Sequence, residues 1–283
     1  MTNPLISIII PAKNEEKNIG RLLESIKRQT YKKIQIVLVD DGSTDKTVEI
    51  SKRFSKYVYK RKHLERSIQR NFGAKKAHGS FLVFLDADME LTPKVIEASI
   101  KVQRKTKAKA ITIAEKTVGN NLIAKIRTFE RQMYLGDKTI ELARFFEKKV
   151  FWEFKGYDPS LTGPEDYDLP YRIGKKYKIS RCSEYILHHE ENITLTKLLK
   201  KKYYYASKGA LYARKHPELI KTQGNLFFRK AYFKNWKNFI KNPFLGTSFI
   251  FIRILESIWA TAGYISAVGI TGFFKTSVIM FKP

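Results

Sequence analysis

The sequence predicts an α/β fold: a mostly parallel central sheet with flanking helices. Two observations carry this. Apolar, β-branched runs alternate with helix-period segments, the pattern of successive strand–helix–strand units. Three of those runs end in polar clusters, at Pro11 to Glu15, Asp40 to Ser43 and Asp86 to Asp88. In such sheets ligands gather at the carboxyl ends of the strands.

Leu5-Ile6-Ser7-Ile8-Ile9-Ile10 reads as a buried first strand. Pro11-Ala12-Lys13-Asn14-Glu15-Glu16 ends it. Asn14 is expected to cap a helix running to about Arg28, with Ile19, Leu22, Leu23 and Ile26 on one face. A second strand is expected at Ile34-Gln35-Ile36-Val37-Leu38-Val39, closed by Asp40-Asp41-Gly42-Ser43-Thr44-Asp45, with a helix from about Asp45. Residues 66–79 read as a helix feeding a third strand. Within it, Arg70 offers a guanidinium fork suited to a diphosphate, while Lys75 and Lys76 read as a solvated face.

The third strand is Phe81-Leu82-Val83-Phe84-Leu85, followed at once by Asp86-Ala87-Asp88. On an extended backbone, residues i and i+2 share a side, so both carboxylates are expected to face one site. Paired carboxylates invite a hard divalent cation, which usually brings phosphate oxygens with it. Asp-x-Asp alone also fits a polar strand end that begins a turn.

The chain has 283 residues, enough for one large domain with an appendage. Its one cysteine, Cys182, excludes an intramolecular disulfide and fits a reducing compartment. The first residues, Met1-Thr2-Asn3-Pro4, lack a basic segment ahead of an apolar run, so no secretory signal is expected. Lys+Arg number 54 against 27 Asp+Glu, a net charge of +27. Such an excess draws polyanions, either nucleic acid or an anionic membrane face.

Taken together, Ile8-Ile9-Ile10-Pro11-Ala12-Lys13-Asn14-Glu15, Val39-Asp40-Asp41-Gly42-Ser43-Thr44-Asp45, Arg70-Asn71-Phe72-Gly73 and Leu85-Asp86-Ala87-Asp88 resemble the family 2 glycosyltransferases. The resemblance covers about the first half of the chain. It implies the Rossmann-like GT-A fold, a nucleotide-sugar donor, Mg²⁺ or Mn²⁺, and inversion at the anomeric carbon. It places Pro11 and Glu15 near the nucleotide, Asp40 on the base, Asp86 near the ribose or sugar, and Asp88 on the metal.

Gly156-Tyr157-Asp158 and Glu165-Asp166, with Leu169 and Arg172, are similar to the family's Gly-aromatic-Asp turn and the acidic pair that opens a helix. Two departures are Lys155, where the family often has a second glycine, and Pro164 before the acidic pair. The resemblance puts Glu165 and Arg172 on the acceptor side. Inverting transfer is one in-line displacement, in which the acceptor hydroxyl must lose its proton, and Asp166 is the candidate base. The pair also fits simple acidity at a helix N-terminus. After a strand from about Lys178 the family often has a histidine that in some members completes the metal shell; the resemblance makes His188 that candidate, chosen over His189 because it continues the strand alternation. A surface histidine pair is the other reading. Residues 121–149 are expected to be helical early, with Ile123, Ile126, Phe129 and Met133 as a core or acceptor-wall stripe, and Ala143-Arg144-Phe145-Phe146 resembles the family's segment leading to the acceptor side.

Beyond the catalytic pattern lie two features. Residues 195–214 interleave Lys200-Lys201-Lys202 with Tyr203-Tyr204-Tyr205, which suits a membrane headgroup layer and also a nucleic-acid surface. Residues 257–274 carry no charge, and the apolar tract extends upstream to Phe244 with only Arg253 and Glu256 interrupting. Nucleic-acid binding gives no use for that tract. It is expected to span a membrane or to lie in it as a hairpin or interfacial helices. Lys230, Lys234, Lys237 and Lys241 before it, with Lys275 and Lys282 after, keep the catalytic part cytoplasmic.

The expected organisation is therefore a GT-A domain over residues 1–225 and a membrane-binding or membrane-spanning region over 226–283. The expected activity is metal-dependent hexosyl transfer from a nucleotide sugar to a lipid-linked or glycan acceptor at an anionic membrane surface. Nucleic acid is not an expected partner. The alternatives are a polyprenyl-phosphate sugar synthase, against which the Glu165-Asp166 pair argues because a phosphate acceptor hardly needs a base, and a basic nucleic-acid-binding protein.

Overall fold

The structure, a computed structural model, describes residues 3–223 and 229–281, with backbone alone at residues 221, 222 and 275–281. The flanking cations Lys275, as a side chain, and Lys282 lie outside the described residues. In chain order the elements are β1 (Ile6–Ala12), α1 (Ile19–Lys27), β2 (Ile34–Asp40), α2 (Thr47–Lys52), β3 (Val58–Lys60), α3 (Arg66–Lys76), β4 (Phe81–Phe84), β5 (Met89–Leu91), α4 (Val95–Thr106) and β6 (Ala110–Val118). There follow α5 (Leu122–Met133), β7 (Ala143–Glu147), α6 (Lys148–Glu153), α7 (Glu165–Gly174) and β8 (Ile179–His189). The last are α8 (Leu195–Lys208), α9 (Ala210–Lys215), α10 (Pro217–Gln223), α11 (Lys230–Lys234), α12 (Lys237–Lys241) and α13 (Pro243–Phe281).

The chain divides into two compact units. The first comprises Met1–Lys116, Leu142–Pro159 and Glu165–His189. The second comprises Thr117–Glu141, Ser160–Pro164 and Glu190–Pro283.

The strands form one sheet in the order β3-β2-β1-β4-β7-β6-β8-β5. From β3 to β4 the pairs are parallel; β4–β7, β6–β7 and β5–β8 are antiparallel. Strand β1 lies at the centre of the parallel part, with Ile10 opposite Leu38 and Ile9 opposite Phe84. Both of its faces are covered, which is why it reads as an unbroken apolar run. Ile8 and Ile10 pack with Leu22, Leu23 and Ile26 of α1, whereas Ile9 packs on the other face with Ala74 and Phe84. Each such side chain, taken from water, contributes roughly 1.5–3 kcal/mol. Gly73 allows α3 to sit on this sheet: a Cβ there would lie 2.5 Å from Ile9 Cγ2 and 3.1 Å from Val39 Cγ2.

Two boundaries differ from the sequence reading. Helix α1 begins at Ile19 with Asn18 at its cap position, not at Asn14. Asn14 is left-handed (φ 53°), and its groups join the loops after β1 and β2. Its N–H donates to Ser43 Oγ at 2.9 Å, and its Oδ1 accepts from the Thr44 N–H at 2.9 Å. The second difference is that β4 stops at Phe84. Asp86-Ala87-Asp88 is a turn closed by Met89 N–H on the Asp86 carbonyl at 3.2 Å, so the two carboxylates do not share one face of a strand.

In the second unit, Asn121 caps α5 by accepting the Ala124 N–H at 2.8 Å. Ile126, Phe129 and Met133 bury with Leu198, Phe249 and Ile252, with Ile123 packed against them. The basic-aromatic segment forms α8 and α9, joined at Gly209. Residues Pro243–Phe274 of α13 are long and apolar enough to cross a membrane by length and composition, and the helix breaks at Gly269 (φ 72°, ψ 167°). Arg253 and Glu256, which interrupt the apolar tract in sequence, are 3% and 1% exposed and pair with each other at 2.5 Å.

Candidate active site

The carboxyl ends of β1, β2 and β4 converge in the first unit. Loop-to-loop hydrogen bonds hold the first two together: the Glu15 N–H donates to Thr47 Oγ1 at 2.7 Å, and the Glu16 N–H to Asp45 Oδ2 at 3.0 Å. Pro11 lies opposite Val39 in the ladder. Glu15 accepts from Asn18 Nδ2 at 2.8 Å. Burial, with the charges of Asp88, Asp45 and Asp86, raises its pKa. Asp40 is buried and accepts the Ser43 N–H at 3.2 Å, which shapes the turn after β2.

Arg70 stands where the sequence did not put it. Instead of presenting its fork to a diphosphate, it is 0% exposed, with its terminal nitrogens on three carboxylates. Nη2 donates to Asp86 Oδ1 at 2.7 Å; Nη1 donates to Asp166 Oδ1 at 2.5 Å and Glu165 Oε1 at 3.3 Å. The reason is geometric: Arg70 lies on the face of α3 that packs on the sheet, and its side chain runs to where β4 ends and α7 begins. The guanidinium also sits 5.4 Å from the Tyr157 ring centroid. Arg70 thus positions the acidic pair.

The electrostatics follow from this pairing. Burial opposes a charge on Asp86, but Arg70, Arg66 and Arg144 outweigh it and hold its carboxyl well below the usual range. Glu165 has the opposite balance: burial and the neighbouring Asp166 push it up to about 7. Asp166 is more open, with a side chain 12% exposed. Its Oδ2 makes no hydrogen bond among the described residues.

Asp88 and His188, the two candidate metal ligands, lie together, with His188 Nε2 3.1 Å from Asp88 Oδ2. His188 Nδ1 lies 3.0 Å from Glu115 Oε2. Burial disfavours the imidazolium, but the two carboxylates prevail and carry the His188 pKa to about 9. His189 points elsewhere, with Nδ1 2.7 Å from Arg21 and Nε2 2.9 Å from Glu90. Neither histidine is a free surface residue.

The sequence reading assigned no role to Glu115, and placed Arg144 only within a segment resembling the family's approach to the acceptor. Glu115 on β6 and Arg144 on β7 pair at 2.5 Å, and Arg144 lies 3.6 Å from Asp86 Oδ2. They complete an alternating chain of charge: Asp166, Arg70, Asp86, Arg144, Glu115, His188, Asp88. No local motif points either residue at Asp86 or His188, since only pairing among β4, β6 and β7 brings them in. Asp41, too, was assigned no role. It accepts from the Leu64 N–H at 2.9 Å and from Gln69 Nε2, and lies 2.5 Å from His63 Nδ1, so it organises the loop between β3 and α3.

Arg172 serves the turn around Gly156. It donates to Asp168 at 2.8 Å, to the Phe154 carbonyl, and to the Gly156 carbonyl at 2.8 Å. Each of its guanidinium nitrogens thus meets a partner inside the fold, which gives Arg172 a supporting role in this turn. Glu165, 1% exposed and paired to Arg70, is likewise enclosed. Asn71 fastens the same turn with two hydrogen bonds to the Tyr157 backbone, at 2.7 and 3.0 Å. Lys155 takes a left-handed φ of 61° and Gly156 one of 68°. A second glycine at 155 would relieve that conformation at no steric cost.

Among the described residues no group of three or more His, Cys, Asp or Glu forms a metal cage. Asp88 still fits a divalent cation, since its Oδ1 is buried without a hydrogen-bond partner. Hard cations shared with a diphosphate take much of their shell from phosphate and water, so a single protein carboxylate suffices.

The fold and these motifs have counterparts. An uncharacterized glycosyltransferase of Methanocaldococcus jannaschii is 26% identical over 259 residues, covering 82% of this chain and 87% of that protein. Glycosyltransferase GlyA of Streptococcus pneumoniae is 37% identical over 101 residues, 34% of this chain but only 14% of that protein. Among solved structures, residues 1–349 of Staphylococcus aureus TarS with UDP-GlcNAc match with a TM-score of 0.54 at 18% identity, covering 93% of this chain and 89% of that one. The mannosyltransferase PcManGT of Pyrobaculum calidifontis, in complex with GDP-Man and Mn²⁺, matches with a TM-score of 0.57 at 15% identity, covering 98% and 79%. At such identities the structures establish a shared fold. The sequence model described as "Glycosyl transferase family 2" matches residues 7–156, more than half of the chain. The chain is a glycosyltransferase of GT-A fold and belongs to glycosyl transferase family 2.

Proposed function

We propose that this glycosyltransferase moves a hexosyl group, with inversion, from a nucleotide-sugar donor to a hydroxyl of a lipid-linked or glycan acceptor at the cytoplasmic face of a membrane. The carrying observation is Asp166: a carboxylate at the start of α7 with one oxygen fixed by buried Arg70 and the other without a protein partner among the described residues. Asp166 takes the acceptor proton as the new bond to the sugar's C1 forms and the bond from C1 to the donor phosphate breaks. Arg70 orients Asp166 through its hydrogen bond to Oδ1. Asp88, with His188 beside it, would hold Mg²⁺ or Mn²⁺, and such a cation would supply positive charge against the leaving nucleoside diphosphate. Pro11, Glu15 and Asp40 border the nucleotide, and Asp86 the ribose or sugar.

The nucleotide-sugar class draws support from the TarS complexes with UDP and UDP-GlcNAc and from PcManGT with GDP-Man and Mn²⁺. The membrane draws support from the exposed apolar residues of the second unit and from the charge of +27. Residues 1–225 then serve as the transferase domain and 226–283 as the membrane-binding region.

The test is nucleoside diphosphate release across UDP-, GDP- and dTDP-sugars. Asp166→Asn is expected to lower kcat by roughly 10²–10⁴-fold with donor affinity nearly unchanged. Asp88→Asn is expected to lose donor affinity, and EDTA to abolish turnover. Near-normal kcat in Asp166→Asn with a hydroxyl acceptor would show that another group is the base. Fractionation of the full chain as soluble without detergent would remove the membrane from the reading.

A further inference from the structure

Helix α13 has two apolar faces, and only one is covered. Phe249, Ile252, Arg253 and Glu256 are buried toward α5 and α8. On that face Arg253 reaches Glu130 of α5 at 3.2 Å, and Glu256 meets Lys202 of α8 at 3.3 Å. Seven residues past Glu256 the backbones meet closely, since a Cβ on Gly263 would lie 2.3 Å from the Tyr203 carbonyl oxygen. The other face carries Phe244, Phe251, Ile254 and Ile258, 67%, 60%, 44% and 58% exposed. These recur at spacings of seven, three and four residues, which is one stripe of a helix. Phe233, Trp236 and Ile240 on and between α11 and α12 are also exposed, interleaved with exposed Lys230, Lys234, Lys237 and Lys241. From residue 219 to 255 there are seven Lys or Arg and no acid.

We propose that this face is a docking surface for an anionic lipid bilayer, and that α13 lies in the plane of the interface instead of crossing it. This rests on the membrane association proposed above and specifies its geometry. Three observations carry it. The uncharged straight part of α13 is residues 257–268, ended by the break at Gly269. At ~1.5 Å per residue it covers about 18 Å, short of a hydrocarbon core of ~30 Å. The stretch before it is bound through Arg253 and Glu256 to charged groups on α5 and α8, so it cannot leave the protein for lipid. Helix α8 accompanies α13 as far as Gly263 and exposes Lys200, Lys201 and Lys208 around Tyr203. A crossing α13 would draw those ammonium groups into hydrocarbon. An in-plane helix instead puts its apolar stripe into the acyl boundary and leaves the lysines at headgroup level, with anionic lipids as their partners.

The experiment uses the full chain. Flotation with phosphatidylcholine vesicles is compared with flotation on vesicles that also contain phosphatidylglycerol. Binding is expected on the anionic vesicles, falling by about tenfold or more in Phe251→Glu/Ile258→Glu, whose positions are exposed and whose replacement leaves the buried face intact. Sidedness is read in cell membranes by labelling with a membrane-impermeant maleimide. One cysteine is introduced at exposed Lys60 and another is appended after Pro283; native Cys182 is buried and gives little background. In-plane docking predicts that both react from the same side. Reaction from opposite sides, with flotation intact, overturns the in-plane geometry but keeps the membrane reading. A soluble chain that floats on neither vesicle and dimerises through this face, with the double variant monomeric, overturns both.

Discussion

Replacing Arg70 with methionine removes one guanidinium and keeps nearly the same volume. The structure sets the consequence. Arg70 is 0% exposed, and its loss leaves Asp86, Glu165 and Asp166 facing one another with Arg66 and Arg144 as the cations still acting on them. Breaking a buried ion pair from one side costs about 3–5 kcal/mol, because the remaining charge stays desolvated. Against a total stability of about 5–15 kcal/mol this is a large fraction. The penalty depends on pH with a definite sign. In the native protein the Asp86 carboxyl is held below its ordinary value of 3.8, so its contribution is present at neutral pH and lost only in acid. In Arg70→Met that depression weakens, since only Arg66 and Arg144 still oppose the repulsion among the carboxylates, and the Asp86 carboxyl protonates more easily. Protonation then relieves the variant as pH falls from 7.5 toward 5, while the wild type changes less over that range. Urea unfolding followed by circular dichroism at pH 7.5 and 5.0 measures both effects. The expected result is a loss of about 3–5 kcal/mol at pH 7.5 that shrinks at pH 5.0. A loss under about 1 kcal/mol at both values would refute the argument that Arg70 compensates a desolvated acidic cluster.

Glu165→Gln reports the raised pKa of Glu165 directly. With a folded value of about 7 against an ordinary 4.5, the carboxyl favours folding below 4.5, and that contribution is lost as pH climbs through 7. The glutamine variant is therefore expected to gain on the wild type across that window by on the order of 1 kcal/mol per pH unit, read by urea midpoints at pH 5 and 8. Gly156→Ala places a methyl 2.6 Å from Asn71 Oδ1 and 2.9 Å from Phe151 Cε1 at a φ of 68°. It is expected to cost about 1–3 kcal/mol in thermal or chemical unfolding and to loosen the turn that leads into α7. Lys155→Gly, at a φ of 61°, is expected to be neutral or to stabilise by up to about 1 kcal/mol in the same assay. Gly73→Ala drives a methyl to 2.5 Å from Ile9 Cγ2, and a loss of about 1–3 kcal/mol is expected as α3 lifts from the sheet.

Much of this protein was legible one segment at a time. The strands β1, β2 and β4 announce themselves as apolar runs because both faces of a parallel strand are buried, and their polar ends mark the site because strand ends open toward ligand. His188 could be chosen over His189 because strand alternation is a local property. Local pattern failed where a side chain's partner lies far along the chain. Arg70 reads as a free cation from its neighbours, yet its carboxylate partners are 16, 95 and 96 residues away, and only the packing of α3 against the ends of β4 and α7 turns it into the buried support of Asp166. Nothing local ties Glu115 or Arg144 to Asp86 or His188, and the antiparallel half of the sheet is what inserts them between those two. Asn14 looked like a cap because capping is the local use of an asparagine, but the parallel pairing of β1 with β2 offered it Ser43 and Thr44 instead. Arg253 and Glu256 read in sequence as flaws in an apolar tract. Tertiary structure makes them the charged groups that bind α13 to α5 and α8, since a buried ion must find its counter-ion and sequence distance says nothing of where that lies.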